Sequence, residues 1–331
     1  MNRHILIDGN NLLHRAFHVF VNTESSVFSS DSGYPTGMIY GPLSMLADWI
    51  PTLGRFDAIH YFRDGFPSRR KDMDPDYKKR EPGRSSLSDL PHRPLTLFDG
   101  FEARNEVDVL MHVIQLLGVK IYYDPHEEAD DLIASFIKSR PNDVHVIVSS
   151  DKDFFQLLAN PQVAIYRPGS KGPRFLDAEE AEKHWALLNN GKHPVVPTKC
   201  VRMFKALCGD ASDNIPGIPK LRKKVAVAAS VGMENIDSLV EANWPGFSNL
   251  ERQHARELVD RVRLNWDLVG LVDSLDPQPI ECAKPDLFSA NAILKSLNIH
   301  LDTSFFTPGK ERMVTEDVPV KIIDDDWMST I

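Results

Sequence analysis

The chain has 331 residues, of which 42% are hydrophobic and 26% charged, and its formal net charge is −9. These values are those of an ordinary globular protein, and no apolar run approaches the roughly 18 residues that span a bilayer, which excludes a membrane-spanning protein. On a prior of about 150 residues per domain, the length predicts about two domains.

Strand-like and helix-like segments alternate along the first half of the chain. Short runs of apolar residues predict strands at 4–8, 57–62, 119–123, 144–150 and 163–167. Apolar residues spaced three and four apart predict helices at 101–117, 127–138 and 152–159. This alternation indicates an α/β fold with a mostly parallel central sheet and helices on both faces.

The pattern changes twice farther along the chain. Residues 64–100 contain Pro, Gly, Ser and charged residues but little periodic apolar content, and long loops of this kind are usually functional or disordered. From about residue 195 we predict only helices, at 198–208, 220–230, 234–242, 249–265 and 286–297. The predicted division is therefore an α/β domain at 1–193, a helical C-terminal domain at 194–310 and an acidic tail at 311–331.

The cysteines and the N-terminus indicate a compartment. Cys200, Cys208 and Cys282 are odd in number and widely spaced, without a CxxC pair, which favours a reducing environment over a disulfide framework. The N-terminus leads directly into a strand-like segment rather than a signal peptide. We therefore expect a cytoplasmic protein.

Acidic residues carry the strongest functional signal. Nine of them lie in short motifs: Asp8 in IDGNN, Asp64 in FRDG, Glu128, Asp130 and Asp131 in EEADD, Asp151 and Asp153 in SSDKDF, and Asp210 and Asp213 in GDASDN. Asp8, Asp64 and Asp151 lie at or just beyond the carboxyl ends of predicted strands, where open α/β sheets form their sites. Carboxylates this dense need a cation, and oxygen ligands without His or Cys indicate Mg²⁺, with Mn²⁺ as a substitute. Two such ions in one cleft predict hydrolysis of phosphodiester bonds.

The net negative charge does not exclude a nucleic-acid substrate. The nine carboxylates of the predicted cleft equal the whole net charge, so the rest of the chain is formally neutral. Basic residues are concentrated in two segments, 69–84 and 220–224. Charge distribution matters more than total charge for steering a ligand.

Several segments together resemble one known family. They are DGNNLLHRAFH, SGYPTGMIYGPLSML, GVKIYYDPHEEADDLIAS, VIVSSDKDFFQLL and ALCGDASDNIPGI, in this order along the chain. Over residues 3–275 the chain resembles the structure-specific 5′-nucleases, which include flap endonucleases, phage 5′–3′ exonucleases and the 5′-nuclease domain of DNA polymerase I. The resemblance implies a PIN-like α/β core, a helical arch at about 64–100 and a helical C-terminal part that binds DNA.

The resemblance also implies roles for the acidic residues and for the arch. Asp8, Asp64, Glu128, Asp130 and Asp151 would surround a first metal, and Asp131, Asp153, Asp210 and Asp213 would lie nearer a second. Lys78 would stand over the scissile phosphate, and either Arg69 or Arg70 would fill the position of the arch arginine. Tyr77 and Arg80 in DYKKR, together with Arg15 in the first motif, would contact substrate.

The chain departs from the family after Gly217. Lys220 and Arg222 stand where the family's helix-hairpin-helix has two glycines, and Lys223 and Lys224 follow. Glycine there permits positive φ and close approach of the backbone to phosphate. The standard hairpin and its monovalent cation are therefore in doubt, and we expect the four basic side chains to contact duplex phosphates instead. Phage members of the family depart from the pattern at the same place, so the resemblance favours a phage enzyme.

Alternative interpretations exist for single motifs and for the whole chain. Asp130 and Asp131 also suit a helix N-terminus, Asp210 and Asp213 suit a turn, and segment 69–84 also suits a solvated mixed-charge loop. The expected substrates are flap, nicked or 5′-ended DNA and RNA–DNA hybrid, with a monomeric enzyme and a single-stranded-DNA-binding or other replication protein as partner. The rivals are a PIN-like ribonuclease and a catalytically inactive relative. For the tail, we weigh a disordered end, a docking peptide around Trp327 and self-inhibition.

Overall fold

A computed structural model describes residues 1–21, 28–79, 90, 92–169, 174–188, 195–232, 246–280 and 284–308. Arg80, Cys282, the predicted helix at 234–242 and the tail at 311–331 lie outside the described residues.

A six-stranded sheet forms the centre of the molecule. The strands found among the described residues are β1 (Arg3–Asp8), β2 (Ala58–Arg63), β3 (Leu95–Thr96), β4 (Glu102–Ala103), β5 (Lys120–Tyr123), β6 (Val144–Val148), β7 (Val163–Arg167), β8 (Arg174–Leu176), β9 (Gly209–Asp210) and β10 (Ile215–Pro216). The central sheet has the order β5–β2–β1–β6–β7–β8. Its first five strands are parallel and β8 is antiparallel to β7, so the prediction of a mostly parallel sheet is confirmed.

Helices cover both faces of this sheet. Within the described residues, the helices of the chain are α1 (Gly9–Ala16), α2 (Gly37–Trp49), α3 (Ser68–Met73), α4 (Glu106–Leu116), α5 (Ala129–Lys138), α6 (Ala178–Leu188), α7 (Val201–Cys208), α8 (Lys223–Gly232), α9 (Asn249–Glu257), α10 (Val259–Val269) and α11 (Leu287–Ser296). Short 3₁₀ turns occupy Ile50–Leu53, Asp153–Ala159, Thr198–Cys200 and Ser304–Phe306.

Local chemistry explains where the observed elements differ from the predicted ones. The helix expected from 101 begins at Glu106, because the side chain of Asn105 accepts hydrogen bonds from the N–H groups of Val107 and Asp108 and caps it. The predicted helix 249–265 is two helices that meet at Leu258. Helix α2 was not predicted, because its glycines and the internal Pro42 conceal its periodicity.

Two hydrophobic cores lie on opposite faces of the sheet. One joins Leu6 and Phe62 of the sheet to Phe136 of α5 and continues into the C-terminal helices through Leu207 and Leu268. The other packs α1, α2 and α4 on the opposite face and also includes α11. The buried apolar core is therefore continuous across the region where we predict a domain boundary.

The chain returns to the α/β core after its C-terminal helices α7–α10. The N–H of Ile280 donates to the carbonyl of Ile121 at 2.8 Å, and the N–H of Asp286 donates to the carbonyl of Leu116 at 2.8 Å. Residues 271–280 form no helix and 209–216 form a small hairpin. The prediction that the chain is wholly helical from about residue 195 is therefore wrong for these two segments. No helix among the described residues is long and apolar enough to cross a membrane.

Candidate active site

Three of the predicted carboxylates lie at the ends of neighbouring strands. Asp8 is the last residue of β1, Asp64 directly follows β2, and Asp151 lies shortly beyond the end of β6. Strand β1 pairs in parallel with both β2 and β6. The three carboxylates therefore meet at one edge of the sheet, as the sequence predicted.

Asp8 and Asp64 lie close to other carboxylates. Asp8 caps α1, accepting from the N–H of Asn11 at 3.0 Å and from the hydroxyl of Ser149 at 2.7 Å. Burial, together with the nearby Asp64, raises the pKa of Asp8 to about 7. Desolvation by the surrounding protein also raises the pKa of Asp64, although part of its surface is exposed. Its carboxylate accepts from the N–H of Ala129 at 2.8 Å. A cation at this edge would stabilise both carboxylates in their charged form and so lower the pKa of each.

Glu128, Asp130 and Asp131 form what we call the first acidic group. Each offers a carboxylate oxygen, and these oxygens lie within 4.8 Å of one another. Glu128 directly precedes α5, and the two aspartates belong to its first turn. Burial and the charges of its two neighbours raise the pKa of Asp130 well above its ordinary value. The group therefore holds more negative charge than its surroundings neutralise.

Arg70 is buried beneath the first acidic group and is fully engaged. Its guanidinium donates to Glu128 Oε2 at 2.6 Å and to Asp131 Oδ1 at 2.8 Å. It also donates to the carbonyls of Leu268 and Gly270, each at 2.9 Å. Because its side chain is only 3% exposed, Arg70 joins α3, α5 and the end of α10 and does not face the cleft.

Asp131 is the most enclosed of the nine carboxylates. It is fully buried and accepts from Arg70 and from the N–H of Val272 at 2.8 Å. The sequence placed Asp131 with the second metal, whereas the structure groups it with Glu128 and Asp130. The reason is local, since all three belong to the start of one helix.

Asp153, Asp210 and Asp213 form the second acidic group, again with carboxylate oxygens within 4.8 Å of one another. Asp210 and Asp213 lie on the β9–β10 hairpin. Gly209 opens this hairpin with a φ of +73°, and a Cβ there would lie 2.3 Å from the carbonyl oxygen of Ile215. Only glycine fits this position, which explains the GD pair in the motif.

Lys205, which the sequence analysis missed, contacts the second acidic group. Its ammonium on α7 forms ion pairs with Asp153 and, at 2.6 Å, with Asp210. Burial acts to raise the pKa of Asp210, but the charge and hydrogen bond of Lys205 hold this pKa below its ordinary value. Burial raises the pKa of Asp213. The sequence feature that could have identified Lys205 is its position one helical turn before the Gly-Asp pair. Helix α7 places a lysine at this position close to the hairpin.

Lys78 lies between the two groups. Its ammonium lies 2.6 Å from Glu128 Oε1, and its backbone N–H donates to the carbonyl of Asp213 at 2.9 Å. Burial opposes its charge, but Glu128 and Asp213 raise the pKa of Lys78 well above its ordinary value. Lys78 therefore remains a cation beside the cleft.

The neighbours of Lys78 differ in exposure. Tyr77 is buried, and its hydroxyl donates to Glu128 Oε2 at 3.2 Å. Arg69 is partly exposed at 38% of its side chain and lies 3.4 Å from Asp131. Of the two candidates for the arch arginine, Arg69 is therefore the one whose side chain is partly exposed.

Arg15 borders the cleft on the side of β7. Its Nη2 donates to the hydroxyl of Ser150 at 3.4 Å and to the carbonyl of Pro168 at 3.3 Å, whereas its buried Nε has no partner. Burial lowers the pKa of the nearby Lys152, and the charge of Arg167 lowers it further. These three cations form a positive rim beside Asp151.

The substituted hairpin is organised by an ion pair. The guanidinium of Arg222 donates to both carboxylate oxygens of Glu251, at 2.9 and 2.7 Å, and to the carbonyl of Gly246 at 2.8 Å. We expected Arg222 to contact duplex phosphates, but its guanidinium instead binds Glu251 and the carbonyl of Gly246. Lys220 keeps a left-handed φ of 58° although it is not glycine, and Lys223 and Lys224 are exposed at the start of α8.

The donor set of this edge suits a hard divalent ion. Both acidic groups offer only carboxylate oxygens, the ligands that Mg²⁺ and Mn²⁺ prefer. The raised pKa of Asp8, Asp64, Asp130 and Asp213 reflects charge that a cation would stabilise. The residues present therefore fit metal binding.

Comparison with known proteins identifies related sequences. Residues 3–186 match the family model described as 5′–3′ exonuclease, N-terminal resolvase-like domain. The chain is 26% identical over 324 residues to DNA polymerase I of Lactococcus lactis subsp. cremoris, covering 95% of this chain and 33% of the relative. It is 25% identical over 300 residues to a 5′–3′ exonuclease of Aquifex aeolicus, covering 89% of this chain and 91% of the relative. The chain thus spans about a third of the length of this polymerase.

Solved structures share the fold. The 5′-exonuclease of T5 with bound zinc superposes with a TM-score of 0.56 at 18% identity, covering 82% of this chain and 90% of that chain. The bacteriophage T5 flap endonuclease in a complex with DNA and metal ions gives a TM-score of 0.54 at 17% identity, covering 82% and 89%. At this identity the likeness establishes the fold.

Proposed function

Because the chain belongs to the 5′–3′ exonuclease family, a family of nucleases, we propose that it is a Mg²⁺-dependent 5′-nuclease that cleaves DNA as a 5′–3′ exonuclease and flap endonuclease. The observation that carries the proposal is that Lys78 joins the two acidic groups, with its ammonium on Glu128 of the first and its backbone N–H on Asp213 of the second. The carboxylates can hold metal ions, and a phosphodiester is anionic. Bound metal ions and the ammonium of Lys78 would together stabilise the negative charge of the phosphodiester during cleavage.

Eight of the nine carboxylates are proposed as metal ligands. Asp8, Asp64, Glu128, Asp130 and Asp151 would hold one ion, and Asp153, Asp210 and Asp213 the other. Asp131 would act through Arg70, whose two donors it already accepts. Two bound ions would supply an activated water and stabilise the leaving oxygen.

The cations of the chain position and stabilise the phosphate. Lys78 would exchange its contact with Glu128 for a non-bridging phosphate oxygen, on which negative charge develops in the transition state. The hydroxyl of Tyr77 holds Glu128 in place. Arg69, partly exposed beside the same group, would be the second cation, since Arg70 is committed to buried partners.

Two further surfaces would hold the rest of the nucleic acid. The positive rim of Arg15, Lys152 and Arg167 would take phosphates next to the scissile one. Lys220, Lys223 and Lys224 would contact duplex phosphates, with Arg222 keeping their turn in place through Glu251. This arrangement replaces the backbone approach that glycines would permit.

Cleavage of end-labelled 5′-flap, nicked, 5′-ended duplex and RNA–DNA substrates tests the proposal, in Mg²⁺, in Mn²⁺ and in EDTA. We expect short 5′ products from DNA in either metal and none in EDTA. Cleavage of single-stranded RNA with all DNA substrates intact would instead identify the PIN-like ribonuclease. Full cleavage in EDTA would exclude a metal-dependent mechanism.

The same assays address the finer parts of the proposal. Release of ribonucleotides from the RNA–DNA hybrid would support removal of RNA primers in replication or repair. Stimulation by a single-stranded-DNA-binding protein that disappears on removal of residues 311–331 would support the tail as a docking segment. A monomeric enzyme of the cytoplasm, of phage or bacterial origin, remains our expectation.

A further inference from the structure

The ammonium of Lys205 lies inside the second acidic group. It forms ion pairs with Asp153 and with Asp210, the latter at 2.6 Å, and its side chain is only 11% exposed. The oxygens of Asp153, Asp210 and Asp213 lie within 4.8 Å of one another. A cation bound by all three would therefore compete with Lys205 for the same oxygens.

The basic residues at the two acidic groups differ in how firmly they are held. Arg70, at the first group, donates to two backbone carbonyls as well as to carboxylates, so it stays in place whatever the group binds. The ammonium of Lys205 donates to Asp153 and Asp210, at the end of a flexible four-carbon stem. Within the part of the chain that the structure describes, Lys205 can therefore leave its carboxylates without breaking a hydrogen bond to the backbone.

We propose that Lys205 is a resident cation of the second acidic group, which a divalent ion must displace in order to bind. Two cations on one small set of oxygens repel each other strongly, because the group is largely withdrawn from water. Lys205 thus stabilises the second acidic group when no metal is bound, and it weakens the affinity of this group for metal. It acts as a positioning residue that sets the divalent-ion concentration at which the second group fills. This inference rests on the proposed function, since it takes the second group to be a metal site.

Binding of Mn²⁺ to the full-length, substrate-free protein tests the inference, measured by isothermal titration calorimetry and by electron paramagnetic resonance of the free ion. Lys205→Met removes the charge and keeps an unbranched side chain. We expect the weaker Mn²⁺ site to tighten by at least ten-fold in this variant. Lys205→Arg, which keeps the charge, should bind no more tightly than wild type. Lys199→Met removes an exposed lysine just before α7 and should leave both sites unchanged.

Thermal melting provides a second measurement that does not depend on activity. Without metal, Lys205→Met leaves Asp153 and Asp210 without their cation and should melt below wild type. Ligand that binds only the folded state stabilises it by mass action, so Mn²⁺ should raise the melting temperature of this variant more than that of wild type. Lys205→Gln, which retains a hydrogen-bond donor, provides the same comparison if the methionine variant does not fold.

The outcomes separate the inference from the proposed function. Equal or weaker Mn²⁺ affinity in the Met and Gln variants would overturn the role of Lys205 and leave the two-metal nuclease standing. Absence of Mn²⁺ binding in wild type and in every variant would overturn the two-metal site itself. The geometry predicts that the weaker site binds Mn²⁺ more tightly in Lys205→Met and Lys205→Gln than in wild type. It predicts no gain in Mn²⁺ affinity for Lys205→Arg.

Discussion

The ammonium of Lys78 lies 2.6 Å from Oε1 of Glu128, at the start of the first acidic group. The backbone of Lys78 has a left-handed φ of 47°, and its N–H donates to the carbonyl of Asp213 in the second group. A non-glycine residue in this region is uncommon and is held there by its surroundings. The base of the predicted arch is therefore tied to both groups through one residue.

Lys78→Ala should slow the chemical step. If the ammonium stabilises charge on the phosphate in the transition state, kcat should fall about ten-fold or more, equivalent to about 1.4 kcal/mol or beyond. Single-turnover cleavage of a 5′-flap substrate measures the change, with Lys79→Ala as the control because Lys79 is exposed and pairs with Asp76. A change in KM alone would show that Lys78 is only a binding contact.

Asp151→Asn should abolish cleavage while DNA binding persists. Asp151 is exposed at the sheet edge and accepts from the N–H of Asp153 at 2.9 Å, a bond that an Asn oxygen can also accept. Removing one charge from an acidic edge relieves repulsion, so stability should hold or rise. Flap cleavage, fluorescence anisotropy and urea unfolding follow the three properties. Wild-type cleavage by Asp151→Asn would contradict the assignment of this residue as a ligand.

Arg70→Leu and Arg69→Leu form a matched pair on one helix. Losing Arg70 leaves the buried Asp131 without the guanidinium that donates to both of its oxygens, so the free energy of unfolding should fall by about 3–5 kcal/mol. Arg69 is partly exposed, and its removal should cost no more than about 1 kcal/mol. Urea denaturation of the metal-free proteins measures both. If Arg69 is the arch arginine, Arg69→Leu should instead slow cleavage, and equal losses of stability would contradict the buried ion pair.

Three histidines on the sheet predict a loss of stability in acid. His60 and His145 are buried, which lowers their pKa to about 2 and about 4, and burial also lowers the pKa of His4. An unfolded histidine titrates near 6.5, so below that pH the unfolded chain binds more protons than the folded one. The stability that these histidines contribute should therefore be fully present above about pH 6.5 and be lost as the pH drops towards 4, by up to about 1.4 kcal/mol per pH unit for each histidine. Carboxylates whose pKa is raised, such as Asp8, act in the opposite direction.

His60→Gln tests this dependence. Removing one buried imidazole should make the decrease in the free energy of unfolding between pH 7 and pH 5 smaller than in wild type, measured by urea unfolding. His300 is exposed, and His300→Gln should leave the decrease unchanged. The same pH dependence in His60→Gln as in wild type would show that other groups dominate.

The basic residues of the substituted hairpin should divide into two classes. Lys223→Gln with Lys224→Gln should weaken binding to duplex and make log K less dependent on log salt, by about 0.9 in slope for each phosphate that the variant no longer neutralises. Arg222→Gln should instead lower stability, because Glu251 is buried and would lose its partner. Anisotropy at several salt concentrations and urea unfolding separate the classes. An unchanged salt slope in the double lysine variant would mean that this face does not bind DNA.

Local rules were sufficient for much of the fold and for part of the site. Apolar runs predicted β1, β2, β5, β6 and β7, and the position of Asp8, Asp64 and Asp151 after such runs placed them at one sheet edge. The helix start at Glu128 likewise follows from the acidic first turn of an amphipathic segment. These features depend on residues close together in sequence or on the direction of parallel strands, so the sequence alone determines them.

The tertiary structure decided which charged residues face the cleft and which face the protein. Arg69 and Arg70 are adjacent in sequence, yet only Arg70 reaches the carbonyls of Leu268 and Gly270, far along the chain. In the same way, the pairing of Arg222 with Glu251 and of Lys205 with Asp153 depends on how the C-terminal helices pack on the sheet. A charged side chain is drawn to whichever opposite charge or carbonyl lies near it after folding. Composition and spacing give the number of charges, and long-range packing determines their partners.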